Sequence, residues 1–163
     1  MKNLFMQTKA LLSDCERYRY WLERTWDEKL PRVCWVMLNP STADHQVDDA
    51  TIRKVVGFST IWGGGGVTVV NLFALRSTDP RALYKAEDPV GPLCDTHLLA
   101  CAIRDMRVVV GWGCHGGLHG RDQAVLALLK QHGLQPECLG KTNGGHPRHP
   151  LYVAYETKLE AYP

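Results

Sequence analysis

The stretch VCWVMLNPSTADHQVDDAT, residues 33–51, decides how this chain folds. Residues 33–38 are all apolar, which is typical of a β-strand that is covered on both faces of its sheet. An Asn-Pro-Ser-Thr turn follows at residues 39–42, and a helical spacing of apolar residues begins after Asp49. The sequence therefore predicts a central strand, a polar turn and a helix, in that order.

The same alternation of strand and helix continues along the chain. The apolar segments 67–73, 107–112 and 134–139 predict further strands, and residues 49–62, 92–105 and 121–132 predict helices. The aromatic-rich segment RYRYWLERTW, residues 17–26, predicts an antiparallel strand. Such alternation favours right-handed crossovers and a parallel sheet. We expect an α/β fold, a three-layer α/β/α sandwich with a central, mainly parallel four-stranded sheet plus an N-terminal antiparallel strand or hairpin.

Composition limits the class of protein. With 163 residues, 45% of them apolar, the chain suits a single domain spanning residues 1–163. The net charge of +2 permits a nucleic-acid partner without requiring one. No apolar run approaches the roughly 20 residues of a membrane span, so we expect a cytoplasmic protein with no membrane partner. The scattered cysteines and histidines fit no usual zinc spacing, and no phosphate-binding glycine motif is present, so we expect no metal and no cofactor.

Polar residues follow each predicted strand, at the sheet edge where α/β proteins bind their ligands. Asn39 precedes a proline, which extends its backbone, and its amide could hold a water or form an ordinary Asx turn. Asn71 interrupts an apolar strand, and its donor and acceptor match the edge of a nucleobase unless the residue is purely structural. His146 and His149 lie in a turn stiffened by prolines, where a fixed histidine can donate to an oxygen that gains negative charge.

The acids behind the Asn-Pro turn have two interpretations. Asp44, Asp48 or Asp49 could orient or deprotonate a water, but helix capping explains Asp48 or Asp49 equally well. If the Asn-Pro turn holds a catalytic water, an amide activates that water less than a carboxylate would, and Asp44 is the acid that we expect to assist. Phe73 could stack on a planar ligand, although packing in the core is the alternative.

Six segments in order resemble the family known as domain of unknown function 1643: RYRYWLERTW, MLNPSTAD with VDDATIRK, NLFALRSTDP, PVGPLCDTHL, GWGCHG and GHPRHPLY. The chain resembles the uracil-DNA glycosylase superfamily more distantly. Members of that superfamily carry an Asp-Pro or Asn-Pro turn after the first sheet strand, an Asn ending a later strand, a strand ending in Trp-Gly and a C-terminal His-Pro-Ser-Pro loop. Leu38-Asn39-Pro40, Val69-Val70-Asn71, Val110-Gly111-Trp112-Gly113 and His149-Pro150-Leu151 occur here in that order.

This second resemblance implies site roles. Asn39 would hold the attacking water, Asn71 would read the base edge with Phe73 and Pro40 beside it, and His149 or His146 would stabilise the departing base. Residues expected to grip DNA phosphates are Ser41, Thr42, Arg53, Arg76, Ser77, Thr78, Lys141 and Arg148. Met37 replaces the glycine of the superfamily turn, and the loop reads His-Pro-Arg-His-Pro.

The function implied is that of a monofunctional DNA glycosylase. It would hydrolyse the N-glycosidic bond of a modified or mismatched base that is flipped out of duplex DNA or presented in a single strand. The biological role would be DNA repair or defence against viral DNA with modified bases. Two alternatives stay open: a non-catalytic nucleic-acid or nucleotide-binding module on the same fold, and a hydrolase acting on free nucleotides. The sequence identifies no protein partner.

Overall fold

The computed structural model describes residues 6–41, 43–44 and 46–163. This part of the chain forms one seven-stranded sheet and four α-helices, so the prediction of an α/β fold is confirmed. The strands are β1 Gln7–Leu12, β2 Arg19–Thr25, β3 Arg32–Met37, β4 Gly66–Asn71, β5 Arg107–Val110, β6 Glu137–Cys138 and β7 Glu160–Ala161. The helices are α1 Ala50–Ile61, α2 Arg81–Lys85, α3 Cys94–Asp105 and α4 Arg121–Gln131. Within the described ranges, no helix is both long and apolar enough to cross a membrane.

The strands lie in the order β1-β2-β4-β3-β5-β6-β7. Strand β3 pairs in parallel with β4 and β5, and β5 pairs in parallel with β6. Strands β1 and β2 form an antiparallel hairpin, β2 pairs antiparallel with β4, and β7 pairs antiparallel with β6. The apolar run of residues 33–37 thus lies inside the sheet, with a strand on each side.

The sheet separates two groups of buried side chains. Trp35 and Met37 face the side on which α1 packs, and the Trp35 indole N–H donates to the Ser59 hydroxyl of that helix at 2.9 Å. Cys34 and Val36 face the other side, where α3 and α4 pack. Because successive side chains of a strand point to opposite faces, burial of both faces explains why β3 carries no polar residue after Arg32.

Helix α1 begins where the sequence indicates. The Asp49 carboxylate accepts a hydrogen bond from the Ile52 backbone N–H at 2.9 Å, which is the geometry of an N-cap. Gly133, which follows the C-cap residue His132 of α4, has a φ of +74°, in the left-handed conformation that favours glycine at this position. The N-terminus of α1 lies at the edge of the sheet where β3, β4 and β5 end.

Candidate functional site

A cleft of about 520 Å³ opens at the carboxyl ends of β3, β4 and β5, within the volume range of small-molecule sites. Its walls come from seven parts of the chain: Arg19 of β2, the end of β3 with the turn after it, the first turn of α1, the end of β4, residues 77–80, residues 112–115 after β5, and residues 149–152. Asn39, Asn71 and His149, three of the residues singled out from the sequence, line this one cleft.

Backbone hydrogen bonds hold these segments together. The Leu72 N–H donates to the Met37 carbonyl at 2.9 Å, so pairing continues past the ends of β3 and β4. The Gly113 N–H donates to the Pro147 carbonyl at 2.9 Å, which ties the His-Pro loop to the segment after β5. A β-carbon at Gly111 would lie 3.1 Å from Pro150 Cδ, so a larger residue there would displace the loop. The sheet edge thus fixes the position of His149.

Asn39 is held by its amide nitrogen. Its Nδ2 donates to the backbone carbonyls of Pro40 and Ser77, both at 3.0 Å, and lies 3.4 Å from the Leu75 carbonyl. Carbonyls accept only, so this network assigns the nitrogen to that side of the amide and the oxygen Oδ1 to the other. Asn39 therefore offers the cleft a fixed hydrogen-bond acceptor.

Asn71 ends β4 opposite Met37 and is only 2% exposed. Strand alternation directs its side chain to the same face as Val69, which also lines the cleft. Neither Nδ2 nor Oδ1 of Asn71 has a hydrogen-bond partner among the residues that the structure describes. Buried amides are nearly always paired, so this donor and acceptor are available to a ligand.

His149 is held in one tautomer. Its Nδ1 accepts a hydrogen bond from the Leu151 backbone N–H at 3.2 Å, which leaves the ring proton on Nε2. Burial lowers the pKa of His149 from its usual value of 6.5, and the negative charge of Asp49 opposes this shift. His149 therefore lines the cleft as a neutral imidazole with an N–H to donate.

The acids divide between the cleft and its surroundings. Asp49, the N-cap of α1, lines the cleft. The Asp44 carboxylate accepts from the backbone N–H groups of Gln46 and Val47 at 2.7 and 2.9 Å, in a turn beside the cleft wall. Asp48 pairs with the buried Arg24 at 2.7 Å. The structure thus brings Asp49, and not Asp44 or Asp48, to the predicted site.

Three other predicted site residues lie apart from the cleft wall. His146 sits in a tight turn in which its backbone N–H contacts the Thr142 hydroxyl at 3.2 Å. Phe73 is fully buried on the α3 and α4 side of the sheet, because the strand alternation that would place it beside Asn71 ends at β4. Pro40 is buried, and its carbonyl accepts from Asn39.

The predicted phosphate contacts are also divided. Ser41, Ser77 and Thr78 line the cleft, and Thr42 lies outside the described residues. The guanidinium of Arg76 donates to the Glu16 carbonyl at 3.1 Å. Arg53, Lys141 and Arg148 lie outside the cleft wall, with Arg53 and Lys141 exposed and Arg148 partly buried.

Arg19 is a charged cleft residue to which sequence reasoning assigned no role. It is only 3% exposed, and its Nη1 donates to the Ala43 carbonyl at 2.7 Å. Burial lowers the pKa of Arg19 to about 10, so the side chain stays charged at neutral pH. In the sequence Arg19 is one of three arginines in an aromatic strand, and no feature of the pattern distinguishes it from the others.

A family model described as protein of unknown function (DUF1643) matches residues 19–151. The chain belongs to this family. The match includes Arg19, Asn39, Asn71 and His149. No curated protein and no solved structure matches the chain significantly. In the described part of the chain, no group of three or more His, Cys, Asp or Glu residues is arranged to hold a metal ion.

Proposed function

We propose that this protein is a DNA glycosylase. It hydrolyses the N-glycosidic bond of a flipped-out modified or mismatched base and leaves an abasic site, in repair or in defence against viral DNA with modified bases. The observation that carries the proposal is the buried amide of Asn71, which has no hydrogen-bond partner among the described residues and lines the same cleft as Asn39 and His149.

The reaction requires three things of its site. Breaking the N-glycosidic bond leaves positive charge on the sugar, and the bonding electron pair leaves with the base as negative charge. A water then attacks the sugar carbon, and the proton that it loses ends on the departed base. Asn39 Oδ1 accepts a hydrogen bond from that water and orients it. The Asp49 carboxylate provides negative charge near the sugar, and His149 Nε2–H donates to an oxygen of the departing base.

Base recognition is assigned to Asn71. One amide offers a donor and an acceptor side by side, which pairs with the ring nitrogen and exocyclic group of a pyrimidine. No described residue fixes either amide atom, so the amide can turn over to suit an amino or a carbonyl substituent. A pocket of this kind binds pyrimidines that carry an amino group as well as pyrimidines that carry a carbonyl group. The reaction chemistry then determines which of them is excised.

The proposed architecture is a uracil-DNA glycosylase-like α/β/α sandwich. The parallel pairing of β4, β3, β5 and β6, with α1 on one face and α3 and α4 on the other, supports it. The order of Leu38-Asn39-Pro40, Asn71, Trp112-Gly113 and His149-Pro150 along the chain resembles that superfamily.

Base excision on defined duplexes tests the proposal. The protein is incubated with duplexes that carry uracil, a hydroxymethylated base or a glucosylated base, and alkali-labile strand breaks are measured. We expect breaks at the modified base with the wild type and a loss of at least about 100-fold in turnover with Asn39→Ala. Asn143→Ala, at an exposed turn position outside the cleft wall, is the matched control and should retain full activity. DNA binding without an abasic product on any duplex would favour the binding module.

Arg19 favours a second candidate, a hydrolase acting on free nucleotides. A buried cation in the cleft suits a substrate that carries its own phosphate. Release of free base from a deoxynucleoside monophosphate in the absence of DNA, at a rate above that on any duplex, would support this candidate.

A further inference from the structure

A β-bulge directs Arg19 into the cleft. Leu11 pairs with Trp21 and Leu12 pairs with Arg19, so Tyr20 is an extra residue in β2. Tyr20 and Trp21 both pack on the α3 side of the sheet, whereas Leu22 packs on the α1 side. Strict alternation from Leu22 would put Arg19 on the α3 side, but the bulge reverses the phase and places it on the α1 side with the cleft. Bulges near functional sites commonly redirect a side chain in this way.

Arg19 differs from the other buried arginines because no carboxylate among the described residues pairs with its charge. Arg24 and Arg121 each have a carboxylate at 2.7 Å, from Asp48 and Asp95 respectively. Arg19 has no carboxylate within 4 Å among residues 6–41, 43–44 and 46–163, and its buried Nε finds no hydrogen-bond partner there. A buried cation without a counter-ion is costly to a fold, and a bound anion would remove that cost.

The surroundings of Arg19 suit an anion with oxygen atoms. Asp49 and Asp44 are both near enough to raise the pKa of Arg19, whereas Arg76 and Arg24 add positive charge. Neither carboxylate pairs directly with Arg19: Asp49 caps α1, and Asp44 accepts from the backbone N–H groups of Gln46 and Val47. Thr78, a residue with a hydroxyl group, lines the same cleft. A guanidinium is the side chain best matched to phosphate and carboxylate, which accept two parallel N–H bonds.

We infer that Arg19 binds an oxyanion that the substrate carries into the cleft. This inference rests on the proposed function, and it narrows the class of substrate to ligands that carry an oxyanion. The oxyanion has two chemical sources: the phosphate of the nucleotide whose base occupies the cleft, or a carboxylate on the modified base itself. The inference predicts that the anionic ligand that carries the matching oxyanion loses affinity when the guanidinium is removed, whereas its neutral counterpart does not.

Ligand binding to the whole protein tests this separately from excision. Calorimetry compares deoxythymidine 5′-monophosphate with deoxythymidine, and 5-carboxydeoxycytidine with 5-hydroxymethyldeoxycytidine. We expect the wild type to bind at least one anion tenfold or more tighter than its neutral counterpart. The nucleotide pair identifies a phosphate source, and the cytidine pair identifies a carboxylate source. Arg19→Met should abolish the preference, and Arg19→Lys should retain part of it.

Arg24→Met is the matched control, since Arg24 is equally buried on the same strand but is paired with Asp48. It should lower the melting temperature of the ligand-free protein without changing the ratio of anion to neutral affinity. Arg19→Met should keep or raise that melting temperature, which shows that the variant folds. An unchanged anion preference in Arg19→Met, or no preference in the wild type, would overturn the inference. Because no step of this test involves base excision, an Arg19-dependent preference without any abasic product would refute only the glycosylase proposal.

Discussion

Replacing Asn71 with leucine should stabilise the ligand-free protein. Both amide atoms of Asn71 are buried without a partner among the described residues, and bulk water barely reaches them because the side chain is 2% exposed. A buried polar group left unsatisfied costs about 1–3 kcal/mol, and leucine has a similar shape with no polar atom. We therefore expect Asn71→Leu to raise the free energy of unfolding by about 1–3 kcal/mol, or roughly 2–4 °C in melting temperature per kcal/mol for a chain of this size.

The assay is urea unfolding of the wild type, Asn71→Leu and a control on the same side of the sheet. Ser59 is the control because its buried hydroxyl is satisfied by the Trp35 indole N–H at 2.9 Å. Ser59→Ala leaves that N–H unpaired and should lower the free energy of unfolding by about 1–3 kcal/mol. If Asn71→Leu loses stability as Ser59→Ala does, the Asn71 amide is a structural group, and the argument that it awaits a ligand fails. Under the proposed function, Asn71→Leu also loses base excision while gaining stability.

Variants at three further positions test the site. Asn39→Asp places an oxygen against the backbone carbonyls that accept from Nδ2 in the wild type. Urea unfolding should therefore show a free energy of unfolding lower by about 1–3 kcal/mol. An unchanged free energy of unfolding would mean that these hydrogen bonds do not form. Asp49→Ala should lower the free energy of unfolding by about 0.5–2 kcal/mol, because it removes the cap of α1. Asp49→Asn should keep the cap but lower the rate of base excision. Equal excision rates for Asp49→Asn and the wild type would show that the negative charge has no role in the reaction. Because the pKa of His149 is lowered in the fold, the unfolded chain binds the proton first, and the free energy of unfolding falls as the pH drops below about 6.5. His149→Asn should remove this dependence, which has a slope of at most about 1.4 kcal/mol per pH unit. If the variant unfolds with the same pH dependence as the wild type, His149 is not buried as a neutral group.

The parts of the fold that the sequence predicted are those in which a local pattern and the tertiary environment agree. Residues 33–37 are apolar without interruption because the strand is covered on both faces, and Asp49 caps the helix that its position indicates. Strand β7 and helix α2 were not predicted. β7 has two residues and α2 has five, too few for a periodicity to be visible. The strand expected over residues 134–139 is likewise reduced to Glu137–Cys138.

The site was predictable where a residue contradicts its surroundings. Asn71 stands out as a polar residue in an apolar strand, and it lines the cleft without a hydrogen-bond partner in the described part of the chain. Arg19 does not stand out, because its direction depends on the bulge at Tyr20, which shifts the phase of β2 without a signal in composition. The choice between His146 and His149 depends on the bond from Gly113 to the loop, a contact between distant segments that spacing alone cannot reveal.

The surroundings of Asn39 favour a particular order of events in the proposed reaction. Three backbone carbonyls lie around Nδ2, so an aspartate oxygen at this position would face other acceptors, and the site is built for an amide. An amide oxygen orients a water but does not take its proton at neutral pH. The water is therefore a weak nucleophile, and it gains reactivity only once the bond to the base has largely broken and positive charge has developed on the sugar. The groups that govern the rate are then those that stabilise separated charge, His149 at the base and Asp49 near the sugar. Substitutions at these two positions should lower turnover at least as much as the loss of the water-holding oxygen of Asn39.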